Sequence, residues 1–331
     1  MPSSTYANTA EVDATPATEA RPAKGSRPAT GTVGAGALAV GFVLMWSSGF
    51  IGGRLGTETA GTLSLMAWRF LLLVPLLAVV LGLVHLVGWR PVRLSGALLR
   101  RHVLLGLLSQ VCYLGGTVGA IEYGVGTGTA AIIAALQPLL AGSAAGPILG
   151  KRVSGRQWAG LAFGFVGVAV VVGGDLTAGD APAWAYALPF AGMLALVSAT
   201  LVEARRPMRA SIVESLGIQC ATSAVAFSVM AYAAGDLYGP HLTDSAFWTS
   251  VVWFVLLSTL GGYGLYWLAL RRLGAMEVSS LIYLTPPATA VWAWAMFGDP
   301  IPATGVLGFA ICAFGVGVVF LRASARPVGR I

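Results

Sequence analysis

The chain has 331 residues, of which 56% are hydrophobic and only 10% are charged. Soluble domains carry charge on about a quarter of their residues, so this composition excludes an ordinary soluble enzyme and indicates an integral membrane protein. The formal net charge of +7 does not indicate nucleic-acid binding, because the basic residues lie in separate loops between hydrophobic runs and form no single stripe.

The N-terminal segment 1–33 is rich in Ala, Thr, Ser and Pro and contains no apolar run. Such a segment cannot bury enough apolar surface to fold, so we expect a disordered cytoplasmic tail. Acidic residues at Glu11, Asp13 and Glu19 precede its basic residues, which is not the pattern of a cleavable signal peptide. A second short cytoplasmic tail is expected at 323–331.

Ten apolar runs follow, and each has about the 20 residues that a bilayer-spanning helix requires. Continuous apolarity of this length is not typical of amphipathic surface helices, and the alternation of membrane β-strands is missing. The sequence therefore predicts an all-α integral membrane protein with about ten transmembrane helices. The runs lie at 35–54, 62–87, 103–123, 127–149, 156–174, 183–203, 211–234, 247–270, 275–298 and 303–322.

Basic residues follow the second, fourth, sixth, eighth and tenth runs, as in Arg90 with Arg93, or Arg271 with Arg272. The intervening loops are acidic, apart from the first, where Arg54 lies near Glu58. Lys and Arg accumulate in cytoplasmic loops. This alternation predicts a multi-pass protein of the cell membrane with both termini in the cytoplasm.

The sequence also contains an internal repeat, in which residues of the first half match residues 148 positions later. Five spans per copy is an odd number, so the second copy would be inverted in the membrane, as in many transporters. We predict two five-helix repeats at 34–174 and 183–322; the alternative is a coincidence between low-complexity apolar segments. The aligned pairs are Leu136 with Leu284, Pro138 with Pro286, Gly150 with Gly298, Gly160 with Gly308, and Gly167 with Gly315.

Several segments resemble a known family. The runs LMWSSGFIGGRLG and AWRFLLLVPLL, and the paired segments that begin TAAIIAALQPLLAG and VSSLIYLTPPATA, are similar to the EamA-type branch of the drug/metabolite transporter superfamily. The resemblance covers about residues 35 to 322. It implies ten helices, an inverted repeat and transport, often export, of metabolites, amino acids or drugs. Lys151 and Asp299 replace the Glu that the family usually carries after the turn glycine.

Prolines interrupt the fourth and ninth runs at equivalent positions. A proline inside a helix removes a backbone donor and frees the carbonyl four residues earlier, here that of Ala134 for Pro138 and of Ile282 for Pro286. Matching interruptions in two repeats indicate a binding site near the middle of the membrane. A kink that serves only packing is the alternative.

The candidate substrate-binding residues are aromatic, polar or proline side chains expected near that site. Aromatic walls with a few polar tips suit an amphiphilic or aromatic small molecule. For any single Trp or Tyr, an interfacial anchor is the alternative, and we prefer that interpretation for Tyr266. The candidates are Trp46, Ser47, Tyr113, Gln137, Pro138, Tyr263, Tyr283, Thr285 and Pro286.

Arg69 is a basic residue well inside an apolar run. A charge within the membrane indicates a functional site by default. We expect an ion pair or gate between Arg69 and Glu122, which lies at the outer end of the third run. The alternative is that Arg69 reaches outward to the lipid headgroups.

These features favour a secondary transporter that works by alternating access, with a small-molecule substrate and the lipid bilayer as its partners. No phosphate-binding G-x-x-x-x-G-K-[ST] motif is present, and proton coupling and facilitated diffusion both remain open. Nothing in the sequence calls for a metal or cofactor, and the oligomeric state is not indicated. The alternatives are an intramembrane enzyme, against which the absence of a G-x-S-x-G motif argues, and a channel-like facilitator.

Overall fold

The computed structural model describes residues 32–86, 95–150, 154–205, 212–237, 239–240 and 242–320. These residues form ten helical segments, which we number in chain order. The first five are α1 (Thr32–Thr57), α2 (Thr62–Leu86), α3 (Gly96–Glu122), α4 (Thr127–Ala135 and Gln137–Leu149) and α5 (Gly155–Ala178). The second five are α6 (Ala187–Arg205, after a 3-10 turn at Ala183–Tyr186), α7 (Ile212–Ala233), α8 (Ser245–Arg272), α9 (Ala275–Ile282 and Thr285–Phe297) and α10 (Ala303–Phe320).

Eight helices in the described part of the chain are long and apolar enough to cross a membrane, and they belong to α1 to α8. The apolar part of α10, Ala303–Val318, is shorter, and α9 is divided into two pieces. The described residues contain no β-strand. The predicted all-α membrane fold of about ten helices is therefore confirmed. Of the predicted tails, only Thr32 and Val33 fall within the described residues, and both are helical.

The third helix begins earlier than its apolar run predicts. α3 starts at Gly96, where the hydroxyl of Ser95 accepts a hydrogen bond from the backbone N–H of Leu98 at 3.2 Å. The guanidinium of Arg101 donates to the carbonyl of Val202 at 2.6 Å. Carbonyls in the last turn of a helix lack partners within that helix, so a basic residue suits this place at the end of α6.

The helices pack with an internal two-fold relationship. α2 packs along α7 and α5 along α10, while α3 packs against α6 and α8 against α1. Exchanging each helix for its equivalent in the other half leaves this set of contacts unchanged. The two repeats that the sequence predicts therefore occupy equivalent places in the fold.

Close contacts between α5 and α10 give the relative direction of the repeats. Gly160 lies against Gly315, Gly167 against Gly308, and Gly174 against Thr304. Residue numbers rise along one helix as they fall along the other, so these two equivalent helices are antiparallel. Two copies whose equivalent helices run in opposite directions form an inverted repeat.

Backbone irregularities also occur at equivalent positions. The second pieces of α4 and α9 are followed by Gly150 and Gly298, whose φ angles are +69° and +73°. Glycine adopts this left-handed conformation without steric cost, which explains why both helices end on it. α3 and α8 each contain a π-helical segment, Leu107–Cys112 and Phe254–Gly261, which the sequence did not predict. Such segments are often found at functional sites.

Candidate functional site

A cavity of about 510 Å³ lies between the two halves of the protein. Both repeats contribute to it, through α1, α3 and α4 of the first and α6 to α9 of the second. This volume is within the range of pockets that hold metabolites and drugs. Four of the nine candidate substrate-binding residues line it: Trp46, Tyr113, Gln137 and Tyr263.

One wall of this central cavity is aromatic. The ring of Trp46 lies 6.1 Å from that of Tyr263, edge to face, and 5.7 Å from that of Tyr266. Tyr266 and Trp267 also line the cavity, although sequence alone favoured an interfacial role for Tyr266. The π-helical segment of α8 ends directly before this group, and the rings present a broad apolar surface to the cavity.

Two amide side chains supply hydrogen-bonding groups beside the aromatic wall. Gln137 begins the second piece of α4, directly after the break, and its Nε2 donates to the hydroxyl of Thr200 at 3.1 Å. Gln110, in the π-helical segment of α3, donates to the hydroxyl of Tyr263 at 3.4 Å. Irregular backbone in both helices therefore places an amide at the cavity.

A polar cluster lines the same cavity between α3 and α7, and sequence reasoning missed it. The hydroxyl of Ser215 lies 3.0 Å from Nδ1 of His102 and accepts from Nε2 of Gln219 at 3.0 Å. Ser109 donates to the amide oxygen of Gln219 at 3.4 Å. The available signal was the presence of the amides of Gln110 and Gln219 within otherwise apolar runs.

A smaller pocket of about 70 Å³ adjoins the central cavity and shares Trp46, Tyr113 and Tyr263 with it. We call it the head pocket. Arg69 lines it and is only 3% exposed. The Nη2 of Arg69 donates to the hydroxyl of Thr259 at 3.1 Å, and its guanidinium carbon lies 4.5 Å from the ring centre of Phe254. Arg69 is thus fixed in the wall of the head pocket.

The predicted ion pair between Arg69 and Glu122 is not formed in this structure. Oε2 of Glu122 accepts a hydrogen bond from the backbone N–H of Thr62 at 3.0 Å, at the start of α2. Arg69 lies about two turns further along α2, where it points towards Thr259 of α8. Its burial also contradicts the alternative that it reaches the headgroups. The sequence predicts the position of Arg69 along α2 and does not predict the neighbouring helix that its side chain faces.

The hydroxyls of Ser47 and Thr285 make hydrogen bonds at the break in α9. The hydroxyl of Ser47 donates to the carbonyl of Thr285 at 3.3 Å, which ties α1 to the break. The hydroxyl of Thr285 donates to the carbonyl of Ile282 at 2.6 Å, and this is the carbonyl that Pro286 was predicted to free. Both side chains are buried away from the cavity lining.

Tyr283 and Pro286 line a separate, small apolar pocket of about 20 Å³. Leu136 and Phe309 belong to the same pocket, which lies among α4, α5, α9 and α10. Pro138 stands in the first turn of the second piece of α4 and is not part of the cavity lining. The structure thus brings four of the nine candidate residues to the cavity and places the other five at or near the two helix breaks.

Similarity to known proteins extends over both halves. The profile of the EamA-like transporter family matches residues 34–173 and again residues 183–321. A protein of Streptantibioticus cattleyicolor named as a probable terminal-alkyne amino-acid exporter is 27% identical over 207 residues, which cover 62% of this chain and 68% of that protein. A solved crystal structure has the same fold with a TM-score of 0.61 at 19% identity, covering 88% of this chain and 98% of the solved one.

Proposed function

The chain belongs to the EamA-like transporter family, and from this premise we propose that it exports a small amphiphilic metabolite, amino acid or drug across the cytoplasmic membrane by alternating access. The observation that supports this most is the central cavity of about 510 Å³ between two inverted halves. Substrate sites of transporters with inverted repeats lie near the middle of the membrane where the repeats meet. Aromatic walls beside amide and hydroxyl groups suit a solute with an apolar body and a polar end.

The position of the cavity supports loading from the cytoplasm. The cavity extends to His102 near the start of α3, Glu203 near the end of α6 and Ser215 near the start of α7. The sequence at and beyond these helix ends carries Arg90, Arg93, Arg205 and Arg206, and basic segments face the cytoplasm. We therefore assign this conformation as open to the cytoplasm, with both termini on that side. A cavity that fills from the cytoplasm suits an exporter.

The opposite end is closed where α1 packs on α8. Trp253 donates its Nε1–H to the carbonyl of Ser48 at 2.9 Å, and a Cβ on Gly52 would lie 2.9 Å from the Trp253 ring. The equivalent contact in the other half is that between α6 and α3. Because the two repeats are equivalent, an exchange of their conformations would produce the conformation open to the outside.

The relative from Streptantibioticus cattleyicolor supports the direction of transport, since it is named as an exporter of an amino acid. Counterflow in proteoliposomes tests the proposal. Vesicles with the purified chain are loaded with unlabelled L-phenylalanine, L-norleucine or 3-phenylpropionate, and uptake of the labelled compound is followed. We expect saturable, counterflow-stimulated uptake of at least one compound.

Matched variants give this experiment its controls. Gln137→Trp fills the cavity and should stop uptake, whereas Val225→Trp, on the exposed surface of α7, should not. Absence of flux for the whole panel would overturn the proposed export of this class of solute. Flux that is neither saturable nor stimulated by counterflow would instead favour a channel-like facilitator.

A further inference from the structure

Arg69 carries a charge that the described part of the protein does not neutralise. Its side chain is 3% exposed, and within the described parts of the chain no carboxylate oxygen lies within 4 Å of its guanidinium nitrogens. The Nε of Arg69 is buried without a hydrogen-bond partner in the described structure. Burial of an ionised group without compensation is unfavourable, and charges within membranes usually mark a functional site.

The surroundings of Arg69 compensate its charge only in part. Thr259 accepts one hydrogen bond, and the rings of Phe254 and Phe70 lie 4.5 and 5.3 Å from the guanidinium carbon. A guanidinium has five N–H donors in a planar fork that matches a carboxylate. The hydroxyl of Thr259 donates its own hydrogen to the carbonyl of Phe254 at 3.0 Å, so its lone pairs face Arg69 and fix the guanidinium.

The head pocket provides space beside this cation. Its volume is about 70 Å³, and about 10–15 Å³ of such volume accommodates one water-sized group. A carboxylate fits within this volume, whereas an aromatic ring has its place in the larger cavity. Trp46, Tyr113 and Tyr263 line both spaces, so the head pocket lies directly beside the larger cavity.

We propose that Arg69 is an anion-binding subsite that takes the carboxylate of an amphiphilic substrate, whose apolar part lies between Trp46, Tyr113 and Tyr263. The inference rests on the proposed function and narrows its substrate class to carboxylates. The guanidinium donates two parallel hydrogen bonds to the carboxylate, as paired Arg–carboxylate contacts do. Thr259 is a positioning residue, because it holds Arg69 and does not itself reach the substrate.

Binding to the purified protein in detergent, measured by isothermal titration calorimetry, tests this subsite. Each carboxylate probe is compared with its neutral amide: 3-phenylpropionate with 3-phenylpropionamide, hexanoate with hexanamide, and N-acetyl-L-phenylalanine with its amide. For at least one pair we expect the acid to bind about tenfold tighter or more, the effect of charge-assisted hydrogen bonds. Equal binding within every pair would overturn the inference.

Variants assign the preference to Arg69. Arg69→Gln should abolish the preference for the acid, while Arg54→Gln, which removes a guanidinium outside the cavity, should keep it. Retention of the full preference by Arg69→Gln would overturn the assignment. If Arg69→Gln does not fold, Thr259→Val decides the question: we expect several-fold weaker binding of the acid and unchanged binding of the amide, and an unchanged preference would count against the subsite.

Transport measurements test the proposed function independently of the anion subsite. The same acids and amides are used in counterflow with the wild-type chain. A preference for acids in calorimetry without any flux would support the anion subsite and contradict the proposed export. Equal transport of amides and acids, with no preference in binding, would support the proposed export and contradict the anion subsite.

Discussion

Gly167 of α5 and Gly308 of α10 lie backbone to backbone across the interface between the two repeats. A Cβ on Gly167 would stand 2.7 Å from the carbonyl oxygen of Gly308, and a Cβ on Gly308 would stand 2.6 Å from that of Gly167. This reciprocal contact is what a two-fold relationship between inverted repeats requires. It also explains why small residues occur at equivalent positions of these helices, since they let two helices approach closely within a membrane.

Gly167→Ala should therefore destabilise the protein by about 1–3 kcal/mol, because the added methyl group forces the two backbones apart. Thermal unfolding in detergent, followed by size-exclusion chromatography, measures the effect. Gly173→Ala is the matched control on the same helix, where a Cβ meets no atom within 4 Å. Equal unfolding temperatures for the two variants would contradict the close contact.

Thr285→Val should lower the free energy of unfolding by about 1 kcal/mol. The substitution removes the hydroxyl that satisfies the carbonyl of Ile282 at the break in α9, and a buried carbonyl without a partner is unfavourable. Thr285→Ser keeps the hydroxyl and should behave as the wild type. Thr249→Val serves as control, because Thr249 makes a similar hydrogen bond to Ser245 on an exposed surface. Loss of stability in the control alone would refute this role for Thr285.

Gln137→Ala and Tyr283→Phe should show whether the substrate binds in the central cavity or in the neighbouring apolar pocket. Gln137 lines the cavity, so losing its amide should raise the KM for counterflow about three- to tenfold, the effect of one hydrogen bond. Tyr283 lines the small apolar pocket, so its variant should keep the wild-type KM. Measurements at matched protein density in the vesicles are needed. An unchanged KM for Gln137→Ala would exclude Gln137 from substrate binding.

Glu122→Gln should leave transport close to that of the wild type. The amide oxygen of Gln can still accept the hydrogen bond from the N–H of Thr62, which is the contact that Glu122 makes here. The double variant Arg69→Glu with Glu122→Arg should show no more counterflow than Arg69→Glu alone. Recovery of counterflow by this charge exchange would show that the two residues pair during transport.

Sequence alone predicted the ten membrane segments, their inverted repetition and the breaks at Pro138 and Pro286, because hydrophobic length, loop charge and proline chemistry are local properties. It could not predict the π-helical segments at Leu107–Cys112 and Phe254–Gly261, which depend on packing between helices. The site was predicted in part for the same reason. Aromatic residues and Gln137 stood out in apolar runs, whereas hydroxyls such as Ser215 reach the cavity only through the arrangement of α3 and α7.

Arg69 shows the same limit most clearly. Its depth within α2 follows from the sequence, and that depth indicated a functional charge. Its neighbours Thr259 and Phe254 come from α8, which is almost 200 residues away along the chain. Nothing local to Arg69 distinguishes that contact from one with Glu122.

We propose that two inverted halves enclose one cavity that opens to each side of the membrane in turn, and cysteine labelling at Gln137 examines this alternation. Gln137→Cys is made after Cys112, Cys220 and Cys312 are replaced by Ser, and a membrane-impermeant methanethiosulfonate is applied to either face. Asp180→Cys, in an exposed loop that the proposed orientation places outside the cell, serves as the control for that face. We predict rapid modification of Gln137→Cys from the cytoplasmic side, slower modification from the outside, and protection from both by a transported substrate. No modification from either side, while Asp180→Cys reacts from the outside, would show that Gln137 does not line an alternately open cavity.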